Sequence, residues 1–324
     1  MKKTINLTKD EVCDLLKGEY KADKDFSIIQ NWITDERTHA MWCANRTSFP
    51  LQRESFDRLI KDIAERCGDR PFVAVDDDGS IVGFYCYSIN KDTYEGMLKF
   101  VMVDPQKRGK GLGREMIRQA VNYAFDETGA SAVQLMVLSA NARAKRCYES
   151  VGFKERRIQE GAFTFQNEVW DRCNMVLEKK KFKAVQLFSE KMHCSQSVLA
   201  AFAEECGITE EMAFKLGSCF GSGMRKGNVC GACTGALMVL GLLYGEEHKG
   251  APEERQRSNK INDMMMDRFK KANGTCICNE LLGCDITTPE GVQYARENGL
   301  FKEFCPKMVA SAVDILNEII GEIH

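Results

Sequence analysis

The sequence has no long hydrophobic run. No stretch of its 324 residues approaches the roughly 18–20 apolar residues that span a bilayer, and the longest, Ala236–Tyr244, has the length of a buried helix. The first ten residues turn polar before any apolar segment of signal-peptide length develops, so a cytoplasmic address is the expectation. Charge of one sign is also missing. With 45 Lys and Arg against 47 Asp and Glu, the net charge is -2, and no overall field draws nucleic acid or an anionic membrane. Repeats and low-complexity tracts are absent as well. What remains is a globular composition, 44% hydrophobic and 28% charged, on a chain long enough for two domains. Cysteine is the exception to this ordinary profile: there are 15, more than a core needs, in a setting where disulfides do not persist.

The first part of the chain mixes periods. Phe72–Val75 and Ile81–Tyr87 are β-rich runs joined by Asp76-Asp77-Asp78-Gly79, a hairpin turn signal. Met97–Val103 and Ala132–Leu138 read as further strands. Between them, apolar residues at 112, 116, 117, 120, 121 and 124 fall on one helical face. Phe163–Phe165 and Val169–Leu177 read as late strands. This order predicts an α/β sheet with crossover connections. The charged run Glu178-Lys179-Lys180-Lys181 reads as a solvated linker, and beyond it only helices are expected, over 185–191, 194–206, 209–218, 231–245, 256–273, 288–298 and 305–321. Six cysteines precede this boundary and nine follow it. The expected domains are therefore 1–180, α/β, and 185–324, all-α and cysteine-rich.

The most informative segment is Val103-Asp104-Pro105-Gln106-Lys107-Arg108-Gly109-Lys110-Gly111-Leu112-Gly113-Arg114, between a strand and a helix. Glycine allows a tight turn and close backbone approach, and the first helical N–H groups lack intrahelical partners. Such a terminus favours an anion, and Arg108, Lys110 and Arg114 add positive charge, so a pyrophosphate fits. A tight connection alone would also explain the glycines. A Walker loop needs Ser or Thr after Gly-Lys, but Gly111 follows Gly109-Lys110.

A second motif follows the Ala132–Leu138 strand: Asn141-x-x-Ala144-x-x-x-Tyr148-x-x-x-Gly152-Phe153. With Arg108-x-x-Gly111-x-Gly113, in this order and separation, residues 1–178 resemble the GNAT superfamily of N-acetyltransferases, the first 25 only loosely. The resemblance implies a mixed sheet splayed open between the strands at Met97–Val103 and Ala132–Leu138. It also implies acetyl-CoA as cofactor, its pantetheine arm along Val101, Met102 and Val103. The pyrophosphate would rest on Gly109, Lys110, Gly111, Leu112, Gly113 and Arg114, with Arg108, Asn141 and Ala144 completing the cofactor set.

By the same resemblance Tyr148 would assist the departing thiolate. A phenol titrates near 10 and a thiol near 8.5, so full proton transfer is uphill by about 2 kcal/mol. Tyr148 is therefore expected to donate a hydrogen bond first; packing against the cofactor is the plainer role. Glu95, entering the strand at Met97, is the candidate general base, against the simpler reading of an exposed hairpin carboxylate. His39 is a further titratable group, on a helix where structural histidines are common. The oxyanion donor is expected among the backbone amides near Val103. The acceptor side would draw on Trp32, Trp42, Phe49 and Phe56, with Asp35 and Glu36 nearby, although aromatics at helical spacing are often core.

In the tail, Cys194, Cys219, Cys230, Cys233, Cys276, Cys278, Cys284 and Cys305 stand out. Cys230-Gly231-Ala232-Cys233 opens an apolar helix, a setting for redox exchange or metal ligation. Cys219, Cys230, Cys233, Cys276 and Cys284 are the candidate ligands of an iron–sulfur cluster or zinc, though Cys276-Ile277-Cys278 with Cys284 is not a zinc spacing. Buried inert thiols are the alternative. The tail resembles the redox-active family named for its Cys…Gly-Cys-Ala-x-x-Gly…Cys…Cys pattern, although this chain reads Cys230-Gly231-Ala232-Cys233-Thr234-Gly235.

The expected function is acetyl transfer to a small-molecule or protein amine, without nucleic acid or membrane partners, and with room for a homodimer. Two other classes stay open: an acyl-CoA-binding regulatory protein, and an iron–sulfur or thiol redox protein with an accessory acetyltransferase-like domain.

Overall fold

The computed structural model describes residues 21–76 and 79–323. The polar start, most of the loosely fitting first 25 residues, and Asp77 and Asp78 of the turn lie outside the described residues. The chain divides into two compact units, one ending at Lys179 and one beginning at Lys180.

The first unit runs α1 (Ala22–Ile29), α2 (Glu36–Cys43), α3 (Arg53–Cys67), β1 (Arg70–Val75), β2 (Ile81–Ile89), β3 (Glu95–Val103), α4 (Leu112–Asp126), β4 (Ala132–Leu138), α5 (Ala142–Val151), β5 (Lys154–Phe165) and β6 (Glu168–Glu178). Its strands form one mixed sheet in the order β1-β2-β3-β4-β6-β5. Only β3 and β4 pair in parallel, and α4 is the crossover that a parallel pair requires. β2 is buried along nearly its whole length because helices cover both faces. On one face Phe26, Ile29, Trp32, Phe56 and Leu59 of the early helices pack with Phe84, Cys86, Phe100 and Met102. On the other, α4 buries Met116, Ile117, Ala120, Val121 and Ala124, the apolar face anticipated from its spacing. β5 is an edge strand, exposed over Lys154–Glu160, which is why its first half carries no apolar alternation.

The second unit holds α6 (Lys179–Ser189), α7 (Cys194–Ala201), α8 (Glu210–Gly217), α9 (Gly231–Tyr244), α10 (Pro252–Asn273), α11 (Cys278–Leu282), α12 (Pro289–Glu297) and α13 (Cys305–Ile323). The lysine run corrects the linker expectation. It opens α6, where Lys181 is 5% exposed and its ammonium bonds Asp314 at 2.8 Å, while Lys180 pairs with Glu205. α11 is an additional short helix. Small residues on α9 let α7 approach closely: a Cβ at Gly235 would lie 2.6 Å from the Ser195 carbonyl oxygen. Among the described residues no helix is long and apolar enough to cross a membrane.

Valine at position 235 would have to displace backbone, which outweighs the helix propensity that glycine forgoes. Gly235→Val is expected to cost about 2 kcal/mol or more, within the overpacking range. Urea unfolding followed by circular dichroism would read this as a lower midpoint; an unchanged midpoint would contradict the packing.

Candidate functional site

The parallel pair is short. Glu95, Gly96, Met97 and Leu98 pair with Ala132, Val133, Gln134 and Leu135, and the ladder then stops. Beyond it Lys99–Val103 and Met136–Leu138 run on without partners on each other's strand. Against β2, Lys99 pairs with Cys86 and Met102 with Phe84, so Phe100 and Val101 together oppose Tyr85 in a bulge. Phe100 has a left-handed φ of 51°, unusual for an aromatic residue inside a strand. Such strain costs on the order of 1–3 kcal/mol and is held by its surroundings. The Trp42 indole N–H donates to the Phe100 carbonyl at 2.9 Å, fixing the bulge from α2.

This wedge opens a cavity of about 730 Å³. Met97–Val103 and Leu135–Leu138 form its walls, and Thr38, Met41, Trp42 and Arg46 close one side. Arg108, Gly109, Gly111, Gly113 and Arg114 line the glycine loop, and Asn141, Arg143, Ala144, Arg146, Cys147, Tyr148 and Ser150 line it from α5 and its start. Of the expected cofactor residues, Val101, Met102, Val103, Arg108, Gly109, Gly111, Gly113, Arg114, Asn141 and Ala144 reach the cavity, whereas Lys110 and Leu112 do not. Gly109 and Gly111 have φ of 86° and 83°, and Gly111 is the N-cap of α4, so both glycines are required by the turn. The Arg108 Nε donates to the Val103 carbonyl at 3.1 Å, tying the loop to the strand end. The Asn141 side chain accepts from the Ala144 amide at 3.2 Å, which explains the Asn-x-x-Ala spacing as an N-cap.

Tyr148 is 7% exposed and lines the cavity, and its hydroxyl has no hydrogen-bond partner among the described residues. Burial, with a smaller contribution from Cys147, raises its pKa, so the phenol keeps its proton. Glu95 is corrected. It sits at the closed end of the β3–β4 ladder, where Arg156 donates to both carboxylate oxygens at 2.6 and 3.2 Å and Gln134 donates at 2.7 Å. Five residues at roughly 3.3 Å per residue separate it from the bulge. His39 is likewise enclosed, 2% exposed, its ring bonded to Asn45 and Thr47 and its pKa lowered by burial. Trp32 and Phe56, at 4% and 0% exposure, belong to the core, leaving Trp42 as the aromatic residue of that group at the cavity. Asp35 caps α2 by accepting from the Thr38 amide.

Among the described residues seven cations line the cavity, Arg46, Lys99, Arg108, Arg114, Arg143, Arg146 and Arg172, and no Asp, Glu or His does. Sequence reasoning passed over Phe100, Cys147, Arg143, Arg146 and Arg172. The bulge leaves no local signal, but a lone arginine between Trp170 and Asn174 on an alternating strand was visible.

In the second unit the thiols that gather include expected members and others: Cys233 lies near Cys230 and Cys276, and Cys278 and Cys305 lie near Cys230 and Cys284. Cys194, Cys278 and Cys305 are the first residues of α7, α11 and α13, and Cys230 is the N-cap of α9. The segments around two of them zip together: the Cys230 amide donates to the Cys276 carbonyl at 2.7 Å and the Cys278 amide to Asn228 at 2.6 Å. A Cβ on Gly231 would lie 3.2 Å from the Cys194 Cβ. Burial first, then Cys230, Cys305 and Cys278, raise the Cys194 thiol. Burial, then Cys230, pushes Cys278 and Cys305 up to about 12. Burial outweighs the helix termini, and these thiols are neutral. Cys219 is exposed, and Cys233 turns to the Met266 sulfur at 3.5 Å. Among the described residues no group of three or more His, Cys, Asp or Glu is arranged to hold a metal ion.

Comparison with known proteins gives the same division. Residues 28–153 match the Acetyltransferase (GNAT) family model. Residues 192–319 match the family described as "Putative redox-active protein (C_GCAxxG_C_C)". The chain thus carries a GNAT domain followed by a domain of that cysteine family. Relatives include streptothricin acetyltransferase of Streptomyces lavendulae, 37% identical over 28% of this chain and 47% of that protein. Thialysine N-epsilon-acetyltransferase of Bos taurus is 32% identical over 27% and 54%. The chain spans about half the length of these relatives. A spermidine N-acetyltransferase from Vibrio cholerae, solved in complex with CoA and spermine, is 22% identical, covering 49% of this chain and 92% of that one, with a TM-score of 0.43.

The neutral thiols are expected to resist alkylation. At pH 8 iodoacetamide should label Cys278 and Cys305 at least ~30-fold more slowly than exposed Cys219, because their thiolate fraction is depressed. Unfolded thiols ionise near 8.5. Folding raises these values, so the stabilisation is complete below about pH 8.5 and lost as pH rises toward 12. Mass spectrometry of tryptic peptides checks the labelling; equal rates would contradict the burial.

Proposed function

We propose that the first unit is an acetyl-CoA-dependent N-acetyltransferase acting on a small amine. The observation that carries this reading is the wedge between β3 and β4, which leads from the glycine loop to the unpartnered hydroxyl of Tyr148. The lining suits the donor: an anionic coenzyme meets seven cations and no carboxylate, and helix N-termini favour phosphate groups. When bound, acetyl-CoA supplies the acetyl thioester. Arg108, Arg114 and the amides from Gly109 to Arg114 hold the diphosphate. Phe100 and Val101, unpaired on either side, offer backbone amides toward the thioester carbonyl, nearer the strand centre than Val103.

Tyr148, lining the cavity, would serve the sulfur of a bound donor. Its raised pKa makes full proton transfer to a thiolate more costly than the ~2 kcal/mol separating ordinary phenol and thiol. The hydroxyl therefore acts as a hydrogen-bond donor while sulfur carries charge. With no carboxylate or imidazole among the lining residues, the acceptor enters as the free amine or loses its proton to water. An iron–sulfur or zinc site is not part of this proposal.

Tyr148→Phe is expected to lower kcat about 10²-fold, in the range of general acid contributions, while the calorimetric Kd for acetyl-CoA changes little. Unchanged kcat would reduce Tyr148 to packing. No calorimetric binding of acetyl-CoA to the intact protein would overturn the proposal itself.

A further inference from the structure

The side of the cavity away from the coenzyme loop carries a cation that nothing among the described residues neutralises. Strand alternation places Trp170, Arg172 and Asn174 on one face of β6 and Cys173, Met175 and Leu177 on the other. Leu177 lies against Gly152 at the end of α5, and Trp170 packs with Ala40 and Met41 of α2. Arg172 therefore projects on the α2 face, opposite the face of α4 and α5, whose N-termini gather Arg108, Arg114, Arg143 and Arg146. It stands across from Leu138, the last residue of β4, half-buried and lining the cavity. Its guanidinium makes no ion pair, hydrogen bond or ring contact among the described residues.

The other two cations on the lining differ. Lys99 is matched by Asp69 at 2.6 Å, and Arg46 lies over the Phe100 ring with Asp62 at 3.7 Å. The carboxylates near this face are engaged elsewhere: Asp35 caps α2, Glu168 accepts from Arg37 and Trp170, and Asp171 accepts from the Gly161 amide at 2.9 Å. None reaches the cavity. A polyamine brings positive charge along its length and would find only like charge here. A half-buried, unpaired guanidinium is instead a preformed fork for a carboxylate. The same field disfavours a protonated amine, which suits a cavity wall without a base.

We propose that the acceptor is a small amine that itself bears a carboxylate, a free amino acid, with Arg172 binding that carboxylate. This rests on the acetyltransferase reading above and narrows its substrate class. The reaction is the same acyl transfer: the acceptor nitrogen forms the amide bond, the thioester bond breaks, the amine gives one proton to water, and the departing thiolate takes one from water to become the coenzyme thiol. The carboxylate is held and not consumed.

The test measures thiol release by the full-length protein with saturating acetyl-CoA. The acceptors are the common amino acids, their decarboxylated counterparts (phenylalanine with phenethylamine, lysine with cadaverine), and spermidine. Turnover is expected with at least one amino acid, at kcat/KM tenfold or more above its decarboxylated counterpart and above spermidine. Arg172→Gln should raise KM for that amino acid roughly tenfold or more, the loss of a charge-assisted bidentate pair. It should leave the calorimetric Kd for acetyl-CoA within twofold, and Arg172→Lys should restore part of the KM. Turnover led by spermidine or a decarboxylated amine, no turnover of any amino acid by protein that binds acetyl-CoA, or an unchanged KM in Arg172→Gln would each overturn the proposal. Failure to bind acetyl-CoA would strike the underlying reading instead.

Discussion

Two parallel strands that part after four residue pairs set the conditions for everything else in the first unit. Once β3 and β4 separate, their facing backbone groups lose ladder partners, and buried N–H and C=O groups without partners are costly. The fold keeps the gap open at Phe100, held in a left-handed conformation by Trp42 from α2. The gap then supplies what a coenzyme arm needs: extended backbone on either side and a helix N-terminus at its mouth. The same parting places Tyr148 at a cavity, where its hydroxyl has no competing partner among the described residues.

Electrostatics divides this cavity into two ends. Arginines from the glycine loop and α5 stand where an anionic donor would lie, and Arg172 stands on the opposite face of the sheet. Among the described residues neither carboxylate nor imidazole lines the cavity, so under the proposed reaction proton traffic depends on the acceptor's own basicity and on water. The second unit works the other way. Its cysteines begin four helices, a position that ordinarily favours thiolate, yet burial and mutual proximity keep them protonated. A desolvated group among like groups outweighs a helix dipole, whose effect is at most ~2 kcal/mol.

Much of the fold was legible because periodicity is a local property. The Ile81–Tyr87, Met97–Val103 and Ala132–Leu138 strands and the helix from Leu112 fall close to where alternation and helical spacing put them. The glycine loop and Tyr148 were legible through motif chemistry. Less accessible were features set by tertiary partners. The Phe100 bulge depends on an indole 58 residues away, and β5 is an exposed edge with no apolar pattern. The lysine run was read as solvated, but Lys181 finds Asp314 across the helical bundle. Glu95 was chosen for its place on the strand; its Arg156 and Gln134 partners come from β5 and β4, and nothing local announces them. Among the cysteines, motif spacing singled out Cys230-x-x-Cys233, and the fold adds Cys194, Cys278 and Cys305, which begin helices.

The central claim is that the amides freed by the parted strands and the glycine loop grip the donor coenzyme. Hydrogen exchange of the intact protein, read by mass spectrometry with and without saturating acetyl-CoA, tests it most directly. Protection should rise over residues 99–103 and 109–114, with residues 95–98 of the closed ladder little changed. Equal exchange across residues 99–114 in the two states, under conditions where acetyl-CoA is bound, would contradict the account.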